Sequence, residues 1–274
     1  MSEVQSILSD ASHVREQYRD SSKLDARVRI YDLYAQRPES FQTWVFDRMQ
    51  LRSGDRVLDV GAGTANLWRE NAARAAGLSL LLGDRSPGML RTARDRLAGT
   101  GLACRRAQLD AQALPFADAS FGIVVANHML YHVPDRARAL SEIRRVLVPG
   151  GRFYSTTNGW SHLLEMRELV RRFGLASAMR SAVSASGAWD LEEAAREFGA
   201  RFEDVRLESC RDVLRVTDAG PLVDAIRSIG STSGDAPPDE RVLREIYDHV
   251  EWMIRLEGWF HVSTWAGLVS GRRP

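Results

Sequence analysis

The chain of 274 residues carries a formal net charge of +1, with 44% hydrophobic and 27% charged residues. A chain of this length can form one elaborated domain, or a core domain with a smaller insertion. The near-zero charge offers no electrostatic footprint for a polyanion, so no nucleic-acid partner is expected. Cys104 and Cys210 do not have the spacing of metal ligands, and no metal is predicted.

The N-terminus and the hydrophobic runs bear on the compartment. The opening stretch, MSEVQSILSD, lacks the basic and apolar regions of a signal peptide. No apolar run approaches the ~18 residues that a membrane span needs. We therefore expect a cytoplasmic protein with no membrane partner, either a monomer or a homodimer.

Residues 1–50 are predicted to be helical. Leu24, Val28 and Tyr31 fall at helical spacing, and a second such run extends from Phe41 to Met49. This region is the first of four predicted parts of the chain.

From about residue 54, short apolar runs alternate with helical segments. The predicted strands are RVLDV, LSLLLGD, CRRAQLD, FGIVVAN and GRFYSTT, with helices at 65–76, 87–98 and 135–147 between them. Strands that alternate with helices indicate a parallel sheet covered on both faces. Right-handed crossovers make such an α/β sheet doubly wound, with ligands outside the carboxyl ends of its strands. This core is assigned to residues 51–158.

The pattern loosens after residue 158. Residues 159–200 contain two amphipathic helices, SHLLEMRELVRRFG and WDLEEAAREFG. Residues 201–274 are predicted to hold a pair of strands in FEDVRLESCRDVLRV, a loop near 228–239, a helix over 239–256 and a closing strand in GWFHVSTWAGLVSGRR.

The stretch VLDVGAGTANLW, residues 57–68, carries the first motif. A glycine-rich turn after a strand lets backbone N–H groups approach a ligand without interference from a Cβ atom. A dinucleotide site of the G-x-G-x-x-G type needs glycine at position 66, where this chain has Asn66. Asp59, two residues before Gly61, would be poorly placed beside a pyrophosphate and suits a cationic ligand. A turn that only serves packing is the alternative.

The next predicted strand ends in Asp84, about 20 residues beyond the glycines, where an acid can accept hydrogen bonds from ribose hydroxyls. The alternative is a role in capping the helix that follows, for which Ser86 and Pro87 are a suitable pair. Further along, Asp110 ends a strand and Ala111 follows it, and Pro149-Gly150-Gly151 links a helix to a strand.

Taken together, these four motifs resemble those of the class I S-adenosylmethionine-dependent methyltransferases of the small-molecule type. The resemblance covers about residues 54–157 and rests on VLDVGAGTA, GDRSPGML, LDAQALPFADASFGIVV and LVPGGRF. It implies a Rossmann-like sheet of seven strands with the last antiparallel, and S-adenosylmethionine as cofactor. One departure is Ala65, where many members have glycine, and a small residue there should still allow close approach.

The resemblance also implies which residues bind the cofactor. The glycine turn would hold it, Asp84 its ribose, and Asp110 with Ala111 would border its adenine. The N-terminal helices and the 159–200 region resemble the lid and the inserted helical cap that small-molecule members add. The expected cofactor-binding residues are Asp59, Gly61, Ala62, Gly63, Asp84, Arg85, Met89, Asp110, Ala111, Asn127, Tyr18 and Tyr31. Tyr34 is a further candidate for closing over the cofactor, and each tyrosine could equally be a core residue.

Methyl transfer from a sulfonium needs alignment, exclusion of water and, for a protonated acceptor, a general base. His128 and His132, four residues apart, are expected on one side of a helical turn, as a base, as substrate-positioning groups or as structural residues. A metal pair is disfavoured because no third ligand is nearby. The expected substrate residues are His128, Met129, Tyr131, Asn158, Trp160 and His162. His261 is expected to be structural.

We therefore expect transfer of a methyl group to an O, N or C atom of a small, biosynthetic acceptor. Three alternatives stay open. A cyclase or eliminase on this fold would use the same cofactor without transferring a methyl group. An RNA or protein methyltransferase is disfavoured by the near-zero charge, and an NAD-dependent dehydrogenase by Asn66 and Asp59.

Overall fold

A computed structural model describes residues 22–175, 189–230 and 238–274. Tyr18 and the first part of the predicted lid lie outside the described residues. So does most of the predicted loop near 228–239.

The centre of the fold is a seven-stranded sheet in the order β3-β2-β1-β4-β5-β7-β6. Its strands are β1 (Arg56–Val60), β2 (Ser79–Asp84), β3 (Cys104–Gln108), β4 (Phe121–Asn127), β5 (Leu147–Asn158), β6 (Glu203–Val216) and β7 (Phe260–Arg272). The first five strands are parallel, and β7 runs antiparallel to both β5 and β6. The doubly wound sheet with an antiparallel last strand, expected from the sequence, is confirmed.

Helices cover both faces of this sheet. Those in the described residues are α1 (Ser22–Tyr34), α2 (Phe41–Arg48), α3 (Asn66–Glu70), α4 (Pro87–Leu97), α5 (Arg136–Val146), α6 (Leu164–Arg172), α7 (Leu191–Gly199), α8 (Ala219–Gly230) and α9 (Glu240–Glu257). One face packs against α5 and α7, and the other against α2, α3 and α4. Because both faces are covered, the central strands are apolar almost throughout.

A third apolar cluster lies between α1, α6, α8, α9 and the ends of β6 and β7 nearest them. Helices α6 and α7 both fall within the predicted cap, but they pack in different places: α6 lies in this third cluster, and α7 lies against the sheet. Phe198 of α7 stacks on Phe153 of β5 with ring centroids 4.7 Å apart, so α7 belongs to the layer that covers the sheet.

Three predicted elements differ in the structure. The predicted strand pair is one long strand, β6, because the sequence offers no Gly, Pro or Asn turn between its halves. Helix α3 ends at Glu70 rather than near residue 76, since the Asn71 side chain binds the carbonyl of Leu67 and ends the helical geometry. Residues 228–230 belong to α8, where Ile229 is buried, so the predicted loop begins too early.

Candidate functional site

The glycine turn after β1 has a backbone that only small residues adopt easily. Gly61 and Gly63 have φ angles of +72° and +56°, and Ala65 has 60°. A Cβ atom on Gly61 would lie 2.7 Å from Cγ of Met129, whereas a Cβ on Gly63 would meet nothing within 4 Å. The turn therefore needs glycine at position 61 for packing, and it leaves open space at Gly63 for a ligand to approach.

Asp59 is buried beneath this turn at the carboxyl end of β1, with 2% of its surface exposed. The indole Nε1 of Trp68, on α3, donates a hydrogen bond of 2.7 Å to Asp59 Oδ2. Oδ1 is buried and has no hydrogen-bond partner among the described residues. Burial raises the pKa of the Asp59 carboxyl to about 7, the Trp68 bond opposes that rise, and nearby Asp84 adds to it. An unpartnered buried carboxylate oxygen is suited to a cationic ligand group.

Asp84 ends β2 beside the same turn. Its Oδ2 accepts a hydrogen bond of 2.9 Å from the backbone N of Gly63, and its Oδ1 accepts one of 2.8 Å from the backbone N of Ser86. Burial raises the pKa of this carboxyl, against the effect of those backbone bonds. The Ser86 hydroxyl caps α4 by accepting from the backbone N of Met89. The backbone N–H of Arg85 also donates to the Asp84 carboxylate. Asp84 thus helps shape both the turn and the cap, and beside its three backbone donors one acceptor position is left for a further donor.

The other predicted cofactor residues lie at different depths. Asp110 accepts from the backbone N of Gln112 at 2.9 Å in the turn after β3, and Ala111 beside it is buried. Arg85 is exposed, whereas Met89 is buried. Asn127, at the end of β4, has a buried Oδ1 without a hydrogen-bond partner in the described ranges.

Arg96, on α4, connects the glycine turn to the N-terminal helix. Its guanidinium donates to Thr64 Oγ1 at 3.2 Å, to Asn66 Oδ1 at 3.0 Å and to Asp25 Oδ1, on α1, at 2.6 Å. Helix α1 is therefore fastened at its N-terminal end to the segment that follows the glycines. Asn66, unusable in a dinucleotide site, is one of the groups that make this connection.

His128 follows β4 with a left-handed backbone, at a φ angle of 48°. Its backbone N donates to the carbonyl of Thr156 at 3.1 Å and to the Thr156 hydroxyl at 3.2 Å, which holds this conformation. The ring lies 5.4 Å from that of Phe41 and 6.5 Å from that of Tyr131. Burial lowers the pKa of the His128 imidazole to about 4, so the ring is neutral near pH 7.

The helical turn expected between His128 and His132 is wrong. Only Leu130–His132 are helical, as a single 3-10 turn, because the left-handed backbone at His128 interrupts any α-helix. The ring of His132 lies 4.5 Å from that of Tyr131, while Met129 reaches back to Gly61.

His162 and Tyr31 form a hydrogen-bonded pair across the site. Tyr31, on α1, places its hydroxyl 3.0 Å from Nε2 of His162, in the turn after β5. Nδ1 of His162 accepts a hydrogen bond of 3.0 Å from the backbone N of Trp265. Burial lowers the pKa of the His162 imidazole to about 3, with further lowering from His128, whose ring is near enough to interact electrostatically. Burial also raises the pKa of the Tyr31 hydroxyl.

The remaining predicted residues lie either nearer the protein surface than the glycine turn or in the hydrophobic core. Asn158 ends β5, and the Trp160 side chain is 57% exposed. Tyr34 is a core residue whose hydroxyl donates to the carbonyl of Asp218 at 3.2 Å. His261 is exposed and contacts Ser263 on the same strand at 2.9 Å.

Residues 22–175, 189–230 and 238–274 hold neither a cluster of metal ligands nor a helix suited to crossing a membrane. Those ranges bring together no group of three or more His, Cys, Asp or Glu side chains that could hold a metal ion. That no metal takes part stays a prediction. None of the helices in the same ranges is long and apolar enough to cross a membrane.

Sequence reasoning missed the partners of these residues. Trp68 holds Asp59, Arg96 holds the glycine turn and Thr156 holds His128. That Tyr31 binds the cofactor stays a prediction, and its contact with His162 is a further one that the sequence does not indicate. The Tyr31–His162 pair joins positions 131 residues apart, and nothing in the sequence indicates that contact.

Residues 58–155 match the family described as "Methyltransferase domain". The strand order and the acid-flanked glycine turn agree with the fold expected for that match.

Three similar proteins illustrate the comparison. The ubiquinone/menaquinone biosynthesis C-methyltransferase UbiE of Xylella fastidiosa (strain M12) is 40% identical over 120 residues, covering 40% of this chain and 47% of that protein. The chain thus spans about half the length of the curated relatives it matches. The [4+2]-cyclase SpnF has a similar fold, with a TM-score of 0.58 at 19% identity over 95% of this chain and 96% of that one. Phosphoethanolamine N-methyltransferase 2 of Haemonchus contortus, in complex with phosphomonomethylethanolamine and S-adenosylhomocysteine, also gives a TM-score of 0.58 at 19% identity, covering 100% of this chain and 61% of that one.

Proposed function

We propose that this protein transfers a methyl group from S-adenosylmethionine to an O, N or C atom of a small biosynthetic acceptor. The observation that carries the proposal is the buried, unpartnered Oδ1 of Asp59 beside the open side of Gly63. A carboxylate oxygen in that position suits the ammonium group of the methionine portion. Domain family and fold support the same reaction.

The residues around the turn fit this cofactor. Asp59 would receive the ammonium group, and Asp84, whose carboxylate has one acceptor position left beside its three backbone donors, would accept a hydrogen bond from a ribose hydroxyl. Asp110 and Ala111 would border the adenine. When bound, S-adenosylmethionine supplies an electrophilic methyl group on a positively charged sulfur.

The contribution of the chain's own residues is then to bind, align and exclude water. His128, neutral because it is buried, has an imidazole that can take a proton from a hydroxyl or ammonium acceptor. Met129 packs on Gly61 and links the His128 segment to the glycine turn. We also propose that α1 and α6 close over the site, since α2 and α7 belong to the layers that cover the sheet, and that the protein is a cytoplasmic monomer or homodimer.

Two measurements, made one after the other, test this function. Calorimetric titration compares S-adenosylmethionine with NAD, and we expect saturable binding of the first and none of the second. Candidate small-molecule acceptors are then screened with methyl-labelled S-adenosylmethionine, and we expect labelled product together with S-adenosylhomocysteine. Tighter binding of NAD, or failure to bind S-adenosylmethionine, would overturn the proposal.

One alternative has an observation in its favour. The fold is similar to that of a protein described as a [4+2]-cyclase, and the cofactor site of a cyclase or eliminase would use the same residues. The two functions differ in their products. With the true substrate, a methyltransferase releases one S-adenosylhomocysteine for each turnover, whereas a cyclase or eliminase leaves S-adenosylmethionine unchanged.

A further inference from the structure

The protonation of His162 follows from its two hydrogen bonds. A ring nitrogen that accepts a bond from a backbone N–H carries no proton, so Nδ1, which accepts from Trp265, is bare. A neutral imidazole has one N–H, which must then be on Nε2. His162 therefore donates to the Tyr31 oxygen and has no lone pair left with which to act as a base.

The Tyr31 hydroxyl consequently has a fixed direction. Its oxygen receives the His162 bond, and its own hydrogen has no acceptor within the described parts of the chain. Tyr31 is half-buried, and a hydroxyl hydrogen that no protein group accepts is available to an acceptor supplied by a ligand.

Helix α1 lies across the site at this point. It is fastened through Asp25 and Arg96 to the glycine turn, and through Tyr31 and His162 to the turn after β5. Asp25 and Tyr31 are six residues apart, ~9 Å along a helix. His128, which follows β4, is near enough to His162 to interact with it electrostatically. The free hydrogen of Tyr31 is thus held over the carboxyl ends of β4 and β5, where ligands of such sheets bind.

We propose that Tyr31 donates this hydrogen bond to an oxygen of the methyl acceptor, and that His162 is a positioning residue which orients it. The acceptor would then carry a carbonyl or phenolic oxygen near the atom that is methylated. The proposal rests on the proposed function, because it takes the acceptor site to lie beside the S-adenosylmethionine turn.

Two substitutions at His162 separate its two bonds. His162→Asn keeps an acceptor for the Trp265 N–H at the position of Nδ1 and loses the donor to Tyr31. His162→Gln places a donor at the position of Nε2 and loses the acceptor. Tyr31→Phe removes the hydroxyl alone. The probes are phenol, acetophenone and ethylbenzene, whose binding is measured by NMR on the full chain saturated with S-adenosylhomocysteine.

We expect the wild type to bind phenol and acetophenone more tightly than ethylbenzene. Tyr31→Phe and His162→Asn should weaken both oxygen-bearing probes about fivefold, the value of one hydrogen bond, and leave ethylbenzene unchanged. His162→Gln should retain the preference, and Tyr31→Phe combined with His162→Asn should be no weaker than either alone.

Equal binding of the three probes by the wild type, or an undiminished preference in Tyr31→Phe, would overturn the proposal. Nitrogen-15 NMR of the wild type gives a check independent of any variant's folding, and we expect a neutral His162 ring with hydrogen on Nε2 between pH 5.5 and 8. Hydrogen on Nδ1, or a charged ring, would contradict the assignment. Binding of S-adenosylhomocysteine is measured first, so its failure would count against the proposed function and not against this pair.

Discussion

Asp59 and Trp68 share a buried hydrogen bond of 2.7 Å that uses one carboxylate oxygen and leaves the other free. The bond fixes the plane of the carboxylate, and the raised pKa of about 7 reflects how poorly its charge is solvated. The same group therefore destabilises the empty protein when ionised and prepares it for a cation.

Replacing the Asp59 carboxylate with an amide should weaken cofactor binding and at the same time stabilise the empty protein. Asp59→Asn can keep the bond from Trp68 through its Oδ1 while removing the buried charge. We expect the affinity for S-adenosylmethionine to fall at least tenfold at pH 8, because the ammonium group loses its counter-charge. Thermal unfolding of the empty variant at pH 8 should occur at a higher temperature than in the wild type. Unchanged affinity would remove Asp59 from the cofactor site.

The pKa of Asp59 also predicts how cofactor affinity depends on pH. If the ionised carboxylate binds the ammonium group, affinity should rise as pH increases from 5.5 and level off above about 7. For the empty protein the sign is opposite. The folded-state pKa is raised from 3.8 to about 7, so the Asp59 contribution to the free energy of unfolding falls as pH rises between those values and then stays constant. Titration and scanning calorimetry from pH 5.5 to 8 on the wild type and Asp59→Asn measure the cofactor affinity and the stability. The variant should lose the part of each pH dependence that comes from Asp59. An identical pH dependence in the two proteins would contradict the assignment.

Removing the Trp68 donor should leave both Asp59 oxygens unpaired. We expect Trp68→Phe to lower the free energy of unfolding at pH 8 by ~1–3 kcal/mol, the cost of an unsatisfied buried group. It should also raise the pKa of Asp59 further. Trp44→Phe is the control, because Trp44 is buried in the same cluster and, among the described residues, donates to no carboxylate. Denaturant unfolding measures both variants, and equal losses would mean that packing alone explains Trp68.

The glycine turn can be tested for close packing. Gly61→Ala combines a positive φ angle with a Cβ atom 2.7 Å from Met129, whereas Gly54→Ala has the positive φ angle and open space. An alanine at such an angle costs ~1–2 kcal/mol. Only Gly61→Ala should also lose affinity for S-adenosylmethionine. Because the Cβ of Met129 would itself lie 2.8 Å from the added atom, Met129→Gly should partly restore the affinity and Met129→Ala should not. Equal behaviour of the two alanine variants would show that conformation, and not contact, requires Gly61.

His128 should affect turnover and not cofactor binding. Asparagine tolerates the left-handed backbone at this position, so His128→Asn removes the imidazole with little strain. With an acceptor found by the label-transfer screen, we expect kcat to fall about a hundredfold, as for loss of a general base. Cofactor affinity should change less than twofold. Because the pKa of His128 is about 4, the wild-type kcat should show no loss from this group above pH 5. Undiminished turnover in His128→Asn, in His132→Asn and in the double variant would remove both histidines from the mechanism.

The sheet was predictable from sequence because its determinants are local. The runs in β1, β2 and β4 are continuous and apolar, and the glycine turn follows β1 directly, so period and turn chemistry indicate the strands. The termination of α3 depended on one side chain, Asn71, that competes with the helix backbone. The length of β6 depended on its pairing with β7, which is a long-range contact.

The sequence predicts which residues belong to the candidate site, but it does not predict which side chains they contact. Asp59 and Asp84 are indicated by position relative to the glycines. The left-handed backbone of His128 depends on Thr156 of the neighbouring strand, and the orientation of Tyr31 depends on His162. Such contacts form only when distant segments meet, and one sequence carries no sign of them.

The most direct measurement of the central claim is calorimetric titration of the wild-type protein with S-adenosylmethionine at pH 8, with Asp59→Asn titrated in parallel. The account predicts saturable one-to-one binding by the wild type and binding at least tenfold weaker by the variant. No binding by the wild type, or equal affinity in both proteins, would contradict it.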